Sequence, residues 1–553
     1  MSEPSIITSP RSISEDLSRL WALLVRGGRS SRHLALDFAL LAIGDLLTLY
    51  SINEGLAVRE QGGVPVREML MFVVGLGLST ARLQELLEFA SRTLNEQSAG
   101  FIGGIFAKLQ ALDLEAFEAI GSSEAMVRLT MDTTRVSLSG VLLVQVCAAF
   151  NLVVLSLLYF FGTAPLAATL VFAGMAGLAL LLYRNSRALA SFYMRLNARK
   201  TRLFAAIEDL IEGITQIKLH GPRRRDFETD LHHEIDALEA ERDALSERFN
   251  RIDALGRSLF FSLLGLLAFV LPLLSDSVEP QLGALLVTVL YVFRPVAMLV
   301  TSIPELNAAS TALVRLERFE ARLDETRPAP RARDTPARAG PLPLRMRGVR
   351  YRYPSDESGA SFGIGPLDLE LHPGELVFVT GANGSGKSTF LKVLTGLYPR
   401  TAGELSAGGV TQPHRPQPAY REHFAAIFLD FVLFDQLHGL PAVDPRQVEA
   451  LLRRMRIDHK VEFRAGRFST TKLSTGQRKR LAMVVALLQD RPLYVFDEWA
   501  ADQDPEYRAD FYRELLPELR RRGKTVIAVT HDDPYFGVAD RRLHFEQGRL
   551  VEL

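Results

Sequence analysis

The stretch Val136–Tyr183 reads VSLSGVLLVQVCAAFNLVVLSLLYFFGTAPLAATLVFAGMAGLALLLY and contains no Asp, Glu, Lys or Arg over 48 residues. A transmembrane helix needs about 20 apolar residues, so this stretch is long enough for two helices joined by a tight turn at Gly162–Pro165. A hairpin buried in a large soluble core is the alternative, but soluble helices rarely lack charge on every face. The stretch therefore predicts a membrane domain built from paired spanning helices.

Four further apolar stretches raise the predicted number of spans to six. The two stretches that precede the charge-free pair give a weaker signal for a spanning helix, because one holds two aspartates and the other is short for a full span. The two that follow the pair are separated by a short acidic loop at Asp276–Glu279. In chain order the four stretches are His33–Tyr50, Met69–Ala81, Ser258–Ser275 and Pro280–Pro304.

The distribution of basic residues predicts the orientation of the spans. Arginines at 11, 19, 26, 29 and 32 precede the first span, whereas the Gly162–Pro165 and Asp276–Glu279 loops carry no Lys or Arg. Basic residues stay on the cytoplasmic side, so we expect the N-terminus and the end of the last span inside the cell. Residues 1–32 show no apolar signal-peptide core, and we expect no cleaved leader.

Composition excludes several classes of protein. Lys+Arg and Asp+Glu are both 64, so the formal net charge is zero, which argues against a nucleic-acid partner held by bulk charge. The single cysteine, Cys147, cannot form an internal disulfide. The neutral total is the sum of a charge-poor N-terminal part and a C-terminal part rich in Arg, Asp and Glu.

Two segments between the spans and the C-terminal part show other patterns. Asp230–Ala254 has apolar residues at heptad spacing, interrupted once by Arg242. We interpret it as a packed cytoplasmic stalk, with a free coiled-coil dimerisation arm as the alternative. Residues 326–341 are rich in Pro and Arg, which is typical of a linker. The predicted domains are a membrane domain over 1–325 and an α/β domain over 342–553.

The α/β domain contains a phosphate-binding loop. Leu376–Thr380 is a short apolar strand, GANGSGKST follows at Gly381–Thr389, and a helical pattern comes next. In this strand–loop–helix context the glycines let backbone N–H groups surround phosphate oxygens at the positive end of the helix. We expect the lysine to reach the β- and γ-phosphates and the following serine to bind Mg²⁺. The predicted nucleotide contacts are Gly381, Asn383, Gly384, Ser385, Gly386, Lys387, Ser388 and Thr389.

A second buried strand, Pro492–Phe496, ends in Asp497 and Glu498. A carboxylate at a strand end across from the phosphate loop is where the Mg²⁺ partner is needed, so Asp497 is the predicted metal ligand. Glu498 is then placed to polarise the attacking water.

The segment Leu473–Gln477, LSTGQ, resembles the signature motif of ATP-binding cassettes, usually LSGGQ, with Thr475 in place of a glycine. The resemblance implies that the loop closes over ATP held by the partner subunit, with Ser474 and the Gly476 amide as donors. Its predicted contact residues are Leu473, Ser474, Thr475, Gly476 and Gln477. The alternative is a plain helix cap of the Ser-x-x-Gln type.

Three further elements match the same family. Tyr353 sits where an aromatic ring stacks on adenine, and His531 sits where a histidine contacts the γ-phosphate. Asp504, in Ala501–Asp504, matches the aspartate of the dimer-contact loop. One element departs, because Leu429 falls where the family has a glutamine that contacts Mg²⁺ and senses the membrane domain. Asp430, or a water, is the predicted substitute for the metal contact.

Six spans, a linker and one cassette in that order resemble a half-size ABC exporter. The resemblance implies an all-α six-helix membrane domain of the type I/type IV exporter fold, followed by an α/β P-loop ABC domain. Ile105–Asp132 and Leu210–Leu231 are similar to the two cytoplasmic coupling segments of such exporters. The sequence FDEWAADQDP, with Trp499 for the usual proline, resembles the cyclic-peptide and siderophore-precursor exporters, which include the pyoverdine- and syringomycin-type exporters.

This resemblance implies ATP-driven export of a peptide-like molecule across the inner membrane by alternating access, with Mg²⁺ as cofactor. The cassette is expected in the cytoplasm, and the expected partners are a second copy of the chain, the cargo and membrane lipids. The alternatives are a lipid or multidrug exporter and a cassette ATPase that regulates without moving cargo.

Charged residues inside predicted spans are candidates for the cargo path. They are Asp37 and Asp45 in the first span and Arg294, before Pro295, in the sixth. The alternative is that the two aspartates lie near helix ends or pair with structural partners.

Overall fold

The computed structural model describes residues 13–26, 31–163, 165–270, 273, 282–326, 342–354, 362–440 and 443–552. They form two compact units, one of Met1–Gln110 with Ser122–Glu325 and one of Ala111–Gly121 with Thr326–Leu553. The second unit thus includes Ala111–Gly121, which the sequence assigned to the membrane domain. The predicted linker beyond Thr326 and the predicted Asp276–Glu279 loop lie outside the described residues.

The first unit is all-helical within the described residues. Its longer helices correspond to the predicted spans but extend well past the apolar stretches, since the stretch Met69–Ala81 lies in a helix of 46 residues. Its helices are Ile13–Arg26, Ser31–Glu60, Val66–Ala111, Ser122–Val127, Thr133–Thr163, Pro165–Glu212, Ile214–Leu219, Gly221–Gly265, Leu282–Thr301 and Ile303–Thr326, with π-helical turns at Arg128–Asp132 and Leu266–Val270.

Five helical segments are long and apolar enough to cross a membrane, by length and composition among the described residues. They are Ser31–Glu60, Val66–Ala111, Glu124–Gly162, Gly221–Val270 and Leu286–Glu325. The remaining predicted span lies in helix Pro165–Glu212, many of whose side chains are outside the described set. Gly44 and Gly75 let the helices Ser31–Glu60 and Val66–Ala111 approach closely, because a Cβ on Gly75 would lie 2.9 Å from the carbonyl oxygen of Gly44.

The second unit is an α/β domain with two main sheets. The strands are β1 (Leu344–Arg352), β2 (Gly363–Leu371), β3 (Leu376–Gly381), β4 (Ala402–Ala407), β5 (Val410–Thr411), β6 (Phe424–Ile427), β7 (Phe463–Arg464), β8 (Arg467–Phe468), β9 (Leu493–Asp497), β10 (Thr525–Val529), β11 (Arg541–Glu546) and β12 (Arg549–Glu552). An antiparallel sheet has the order β2-β1-β4-β5, a second sheet has the order β12-β11-β3-β10-β9-β6, and β7 and β8 form a small hairpin.

The helices of the α/β domain cover the central sheet. They are Leu114–Ile120, Lys387–Leu394, Pro418–Arg421, Pro445–Arg454, Thr475–Gln489, Pro505–Asp510 and Leu516–Arg521, with a π-turn at Phe511–Leu515 and 3-10 turns at Trp499–Asp502 and Asp533–Val538. β3, β9 and β10 are buried along their whole length, which explains their uninterrupted apolar sequences. Two apolar clusters pack on opposite faces of this sheet, one around Phe378 and Phe496 and one around Val377 and Val495.

The register of the parallel strands brings the predicted motifs together. β10 pairs with β3 and with β9 in parallel, with Val529 opposite both Val379 and Asp497. β6 pairs with β9 in parallel, with Ile427 opposite Phe496. The carboxyl ends of these four strands therefore meet at one edge, where α/β sheets bind ligands.

Candidate nucleotide-binding and catalytic site

The loop after β3 has the backbone conformation that its glycines predict. Gly384 and Gly386 have φ of +76° and +110°, in the left-handed region, and Gly386 caps the helix Lys387–Leu394. A Cβ on Gly381 would lie 2.4 Å from the carbonyl oxygen of Phe545, so the strand and loop leave no room for a side chain there. Glycine is therefore required at these positions by backbone geometry and close approach.

Lys387 lies at the centre of this loop. Its Nζ donates to the carbonyl oxygens of Gly381, at 2.7 Å, and Ala382, at 3.1 Å. Burial lowers the pKa of Lys387, against the opposing effect of Glu498 and then Asp497. Among the described residues, the buried Oγ of Ser385 has no hydrogen-bond partner. A buried ammonium beside an unpartnered hydroxyl fits a site built for phosphate oxygens.

The carboxylates at the end of β9 face the loop. Glu498 Oε1 lies 4.0 Å from the Lys387 Nζ and 3.3 Å from His531 Nε2. His531 follows β10 and is half exposed, with 50% of its side chain accessible. The structure therefore brings together the predicted phosphate lysine, water-orienting carboxylate and γ-phosphate histidine.

Asp497 is buried and has the surroundings of a metal ligand. Burial raises its pKa, and the carboxylates of Glu498 and Asp430 raise it further, whereas the Ser388 hydroxyl and Lys387 lower it. A cluster of negative groups in a buried site is stabilised by a divalent cation. The oxygens of Ser388 and Asp497 therefore fit Mg²⁺, and the exposed Asp430 lies near enough to contribute to the same field.

Leu429, at the position of the family's glutamine, is 59% exposed and follows strand β6. An apolar side chain supplies no ligand for Mg²⁺. The predicted substitution of Asp430 for the metal contact stays a prediction, supported by the electrostatic effect of Asp430 on Asp497.

Tyr353 is part of an aromatic cluster beside the phosphate loop. Its ring meets Tyr351 edge-on, at 5.0 Å between centroids, and Tyr398 edge-on at 5.8 Å. Its hydroxyl lies 3.1 Å from the Thr389 Oγ1 at the end of the loop. This position fits the predicted stacking on adenine, because it holds an aromatic ring next to the phosphate-binding helix.

The signature segment begins the helix Thr475–Gln489, with Ser474 as the N-cap residue. The Ser474 N–H donates to the Gln477 Oε1 at 3.3 Å, so the Ser-x-x-Gln capping arrangement is present. Ser474 and Thr475 are nevertheless exposed. The predicted contacts of Leu473–Gln477 with a partner's nucleotide stay a prediction.

The loop Ala501–Asp504 is tied to the signature helix within the chain. A Cβ on Gly476 would lie 2.7 Å from the Asp502 carbonyl oxygen, so this glycine allows close backbone approach. Arg480 donates to the Gln503 Oε1 at 2.8 Å and the Asp504 Oδ2 at 2.5 Å. The Tyr507 backbone N–H and, less strongly, Arg480 hold the pKa of Asp504 below its usual value. Asp504 is therefore a helix cap and ion-pair partner as well as a predicted dimer-contact residue.

The surroundings of two basic residues after the signature motif, Lys479 and Arg480, were not predicted from the sequence. Lys479 and Arg480 follow the signature motif in a run of basic residues, a pattern typical of a solvated helix end. Lys479 is instead only 1% exposed, and Arg480 packs over the Tyr507 ring at 3.8 Å. The signal that was missed is the apolar sequence LAMVVALL that follows. It shows that one face of this helix is buried in the core, and Lys479 lies on that face.

Part of the first predicted coupling segment packs on the α/β domain. The helix Leu114–Ile120 accepts hydrogen bonds at Glu118 from the Tyr398 hydroxyl, at 2.5 Å, and from Lys392, at 3.1 Å. Glu115 accepts one from the Tyr351 hydroxyl at 3.0 Å. Leu114 packs against the apolar cluster of this domain. The helix Leu114–Ile120 therefore touches the aromatic cluster that holds Tyr353.

The predicted cargo-path residues Asp37 and Asp45 each contact a residue of a neighbouring helix. Asp37 is buried and lies 3.7 Å from Arg82, whereas Asp45 is buried and accepts a hydrogen bond from Ser79 at 2.5 Å. Both partners belong to the helix Val66–Ala111, so the pairing with structural partners is the interpretation that the contacts favour. The third cargo-path candidate, Arg294, has an exposed side chain.

Residues 364–501 match the family model of the ABC transporter. The whole fold is similar to a solved bacterial Atm1-family ABC exporter with ATP bound, with a TM-score of 0.72, 17% identity and 94% of each chain covered. The chain thus has the fold of a half-size ABC exporter, with a multi-pass helical domain and an ABC ATP-binding domain, as the sequence predicts.

Two relatives are similar in sequence. ATP-binding protein SyrD of Pseudomonas syringae pv. syringae is 37% identical over 355 residues, which is 62% of this chain and 62% of SyrD. An ATP-dependent lipid A-core flippase of Chromobacterium violaceum is 27% identical over 497 residues, covering 83% of this chain and 81% of the flippase. The chain therefore spans less than two thirds of SyrD but most of the flippase.

Proposed function

We propose that this protein uses ATP hydrolysis to export a peptide-like secondary metabolite across the bacterial inner membrane by alternating access. The observation that carries the proposal is the approach of Lys387, Glu498 and His531 at the strand ends of a cassette joined to long apolar helices. The alignment with SyrD, together with the FDEWAADQDP segment, favours a peptide-like cargo such as a cyclic peptide, lipopeptide or siderophore precursor.

The residues divide the chemical work among them. Lys387, which now bonds two loop carbonyls, would turn to the β- and γ-phosphates when ATP binds. Glu498 would orient the attacking water, and His531, 3.3 Å from it, would hold the γ-phosphate in line. Mg²⁺ held by Ser388 and Asp497 would neutralise charge that develops on the phosphates.

We further propose that two copies form the working unit. The exposed Ser474 and Thr475 lie in a motif that, by its resemblance, serves ATP on a partner subunit. Two-fold symmetry then gives two equal sites, each with Lys387 and Glu498 of one chain and Ser474 of the other. ATP-driven closure of this interface would favour the outward-facing arrangement of the spans, and hydrolysis would reset it.

The test uses the full chain reconstituted in vesicles. We expect ATPase activity to depend on Mg²⁺ and to fall at least about 100-fold in Glu498→Gln, while ATP binding is retained, because the carboxylate acts in the transition state. Wild-type inverted vesicles should accumulate a cyclic lipopeptide or a peptide siderophore only with ATP. Normal turnover of Glu498→Gln would contradict the catalytic assignment.

A lipid exporter is the second candidate, favoured by the alignment with the lipid A-core flippase over most of the chain. The same vesicles discriminate between the two, since ATPase activity is measured with each cargo class added in turn. Stimulation by lipid A and none by peptides would replace the peptide proposal. ATP hydrolysis with no cargo movement of either class would support a regulatory ATPase.

A further inference from the structure

We propose that Lys479 is a positioning residue that holds Glu498 in its catalytic conformation and ties it to the signature helix. The proposal rests on the proposed ATP hydrolysis and concerns a lysine that the phosphate site does not use directly. Lys479 is 1% exposed and lies in helix Thr475–Gln489, four residues into the helix that begins at the signature motif.

The ammonium group of Lys479 has two partners on the segment after β9. Its Nζ donates to the backbone carbonyl oxygen of Glu498 at 2.8 Å and lies 2.6 Å from the Asp502 Oδ2. A buried ammonium is tolerated only when it is paired and hydrogen-bonded. These two bonds therefore fix where the lysine can sit and, equally, where the carbonyl of Glu498 can point.

The backbone of Glu498 is strained, so its conformation requires stabilising contacts. Its φ and ψ are +49° and +37°, a left-handed conformation that side-chain-bearing residues seldom adopt. Its N–H donates to the Val529 carbonyl at 3.2 Å, so Val529 fixes one side of the residue and Lys479 fixes the other. Strained residues persist when their surroundings over-determine them. This conformation directs the carboxylate to within 3.3 Å of His531.

The lysine's own backbone is fixed by the residue that follows Glu498. The Nε1 of Trp499 donates to the Lys479 carbonyl at 2.9 Å, and the Trp499 ring is buried against Phe511 with centroids 4.5 Å apart. Lys479 and the Glu498–Trp499 pair thus hold each other through two reciprocal hydrogen bonds. A shift of the signature helix would move the Glu498 carbonyl with it.

This arrangement links the two ATP sites of the proposed dimer. The signature segment would contact the partner's nucleotide, whereas Glu498 acts on the chain's own. Through Lys479, a movement of the helix Thr475–Gln489 at the partner's ATP site would therefore change the position of the Glu498 carboxylate at the chain's own site. Its expected effect is on turnover and on coupling between sites, and not on the affinity of the phosphate loop for ATP.

The test compares Lys479→Met with Lys479→Gln in the full chain in vesicles. Methionine keeps the length and burial but removes both bonds, so we expect kcat for ATP to fall about 10–100-fold, because small displacements of catalytic groups have effects of this size. The KM for ATP and the Kd of a non-hydrolysable ATP analogue should stay within about two-fold. Glutamine, which can still donate to the Glu498 carbonyl, should restore part of the lost kcat.

Controls separate positioning from general loss of structure. The same change at the exposed Lys460, Lys460→Met, should leave both constants unchanged. A fall in kcat together with loss of analogue binding and of thermal stability in both Lys479 variants would overturn the positioning role, as would unchanged kcat in both. If the wild-type protein hydrolyses no ATP, the proposed function fails and the inference fails with it; wild-type hydrolysis with a normal Lys479→Met defeats the inference alone.

Discussion

The docking of helix Leu114–Ile120 on the α/β domain depends on Glu118. This helix has only seven residues, too few to be stable alone. Its Glu118 accepts two hydrogen bonds, from the Tyr398 hydroxyl at 2.5 Å and from Lys392 at 3.1 Å. We predict that Glu118→Ala loosens the docked helix without unfolding the domain, whose sheet does not depend on this contact.

The magnitude follows from the two bonds and their exposure. A hydrogen bond to a charged group contributes about 1.5–3 kcal/mol when buried. The Glu118 side chain is 41% exposed, so the Lys392 pair counts for little. A total of about 1.5–2.5 kcal/mol remains, which corresponds to an increase of roughly 10–70-fold in the fraction of undocked helix. Tyr398→Phe should give most of that free-energy change, because the ring stays packed while the hydroxyl bond to Glu118, which carries most of the energy, is lost.

Hydrogen exchange of the full chain, read by mass spectrometry, measures this change. The amides of Phe117 and Gly121, which bond within the helix, should exchange about 10-fold faster or more in Glu118→Ala. Glu422→Ala is the matched control, since it removes a comparable ion pair, with Arg491 at 2.5 Å, elsewhere in the domain. Unchanged exchange of this helix in both Glu118→Ala and Tyr398→Phe would refute the reasoning.

Three further predictions concern the same domain. Trp499→Ala should lower the free energy of unfolding by about 3–5 kcal/mol, measured by denaturation in detergent, because a ring 1% exposed leaves a cavity; a loss under 1 kcal/mol would be inconsistent with this packing. Gly476→Ala should slow ATP hydrolysis about 10-fold with ATP binding unchanged, since its Cβ would lie 2.7 Å from the Asp502 carbonyl; full turnover would argue against the close approach. Arg454 holds the pKa of Glu518 below its ordinary value, so the pair stabilises the fold at neutral pH and this stabilisation is lost as pH falls through the folded-state pKa. Glu518→Gln should therefore be less stable by under about 1 kcal/mol at pH 7 and equal to the wild type in acid, and a difference that persists in acid would contradict the assignment.

The cassette was predictable because its motifs each require a local structure. A glycine-rich loop between a strand and a helix, and carboxylates at a strand end, specify backbone conformations as well as chemistry. The parallel register then brings the ends of these strands to one edge, where Glu498 lies near both Lys387 and His531. The contacts of Lys479 were not predicted, because a basic residue in a charged run is usually solvated. The apolar LAMVVALL that follows indicates a buried helix face, and the fold shows that Lys479 lies on that face.

The membrane helices show a different limit of sequence reasoning. Hydropathy identifies only the apolar part of a helix. It therefore predicted a short span at Met69–Ala81, although the helix continues to Ala111. The polar part of this helix after Ala81 has no apolar stretch from which its length could be predicted. Intramembrane aspartates were identified, but their partners were not, because Arg82 and Ser79 are far from Asp37 and Asp45 in sequence and become neighbours only when two helices pack.

The loss of the family's glutamine at Leu429 changes which contacts can relate the coupling segment to the nucleotide. In the described α/β domain, Glu115 bonds the Tyr351 hydroxyl, Tyr351 packs edge-on against Tyr353, and Tyr353 bonds Thr389 of the phosphate loop. Contiguous contacts transmit a change only where a member has two arrangements. The predicted stacking of Tyr353 on adenine would add ATP as a further partner of a ring whose hydroxyl already bonds Thr389. We therefore propose this aromatic path, and not residue 429, as the route by which ATP occupancy would reach the helix Leu114–Ile120.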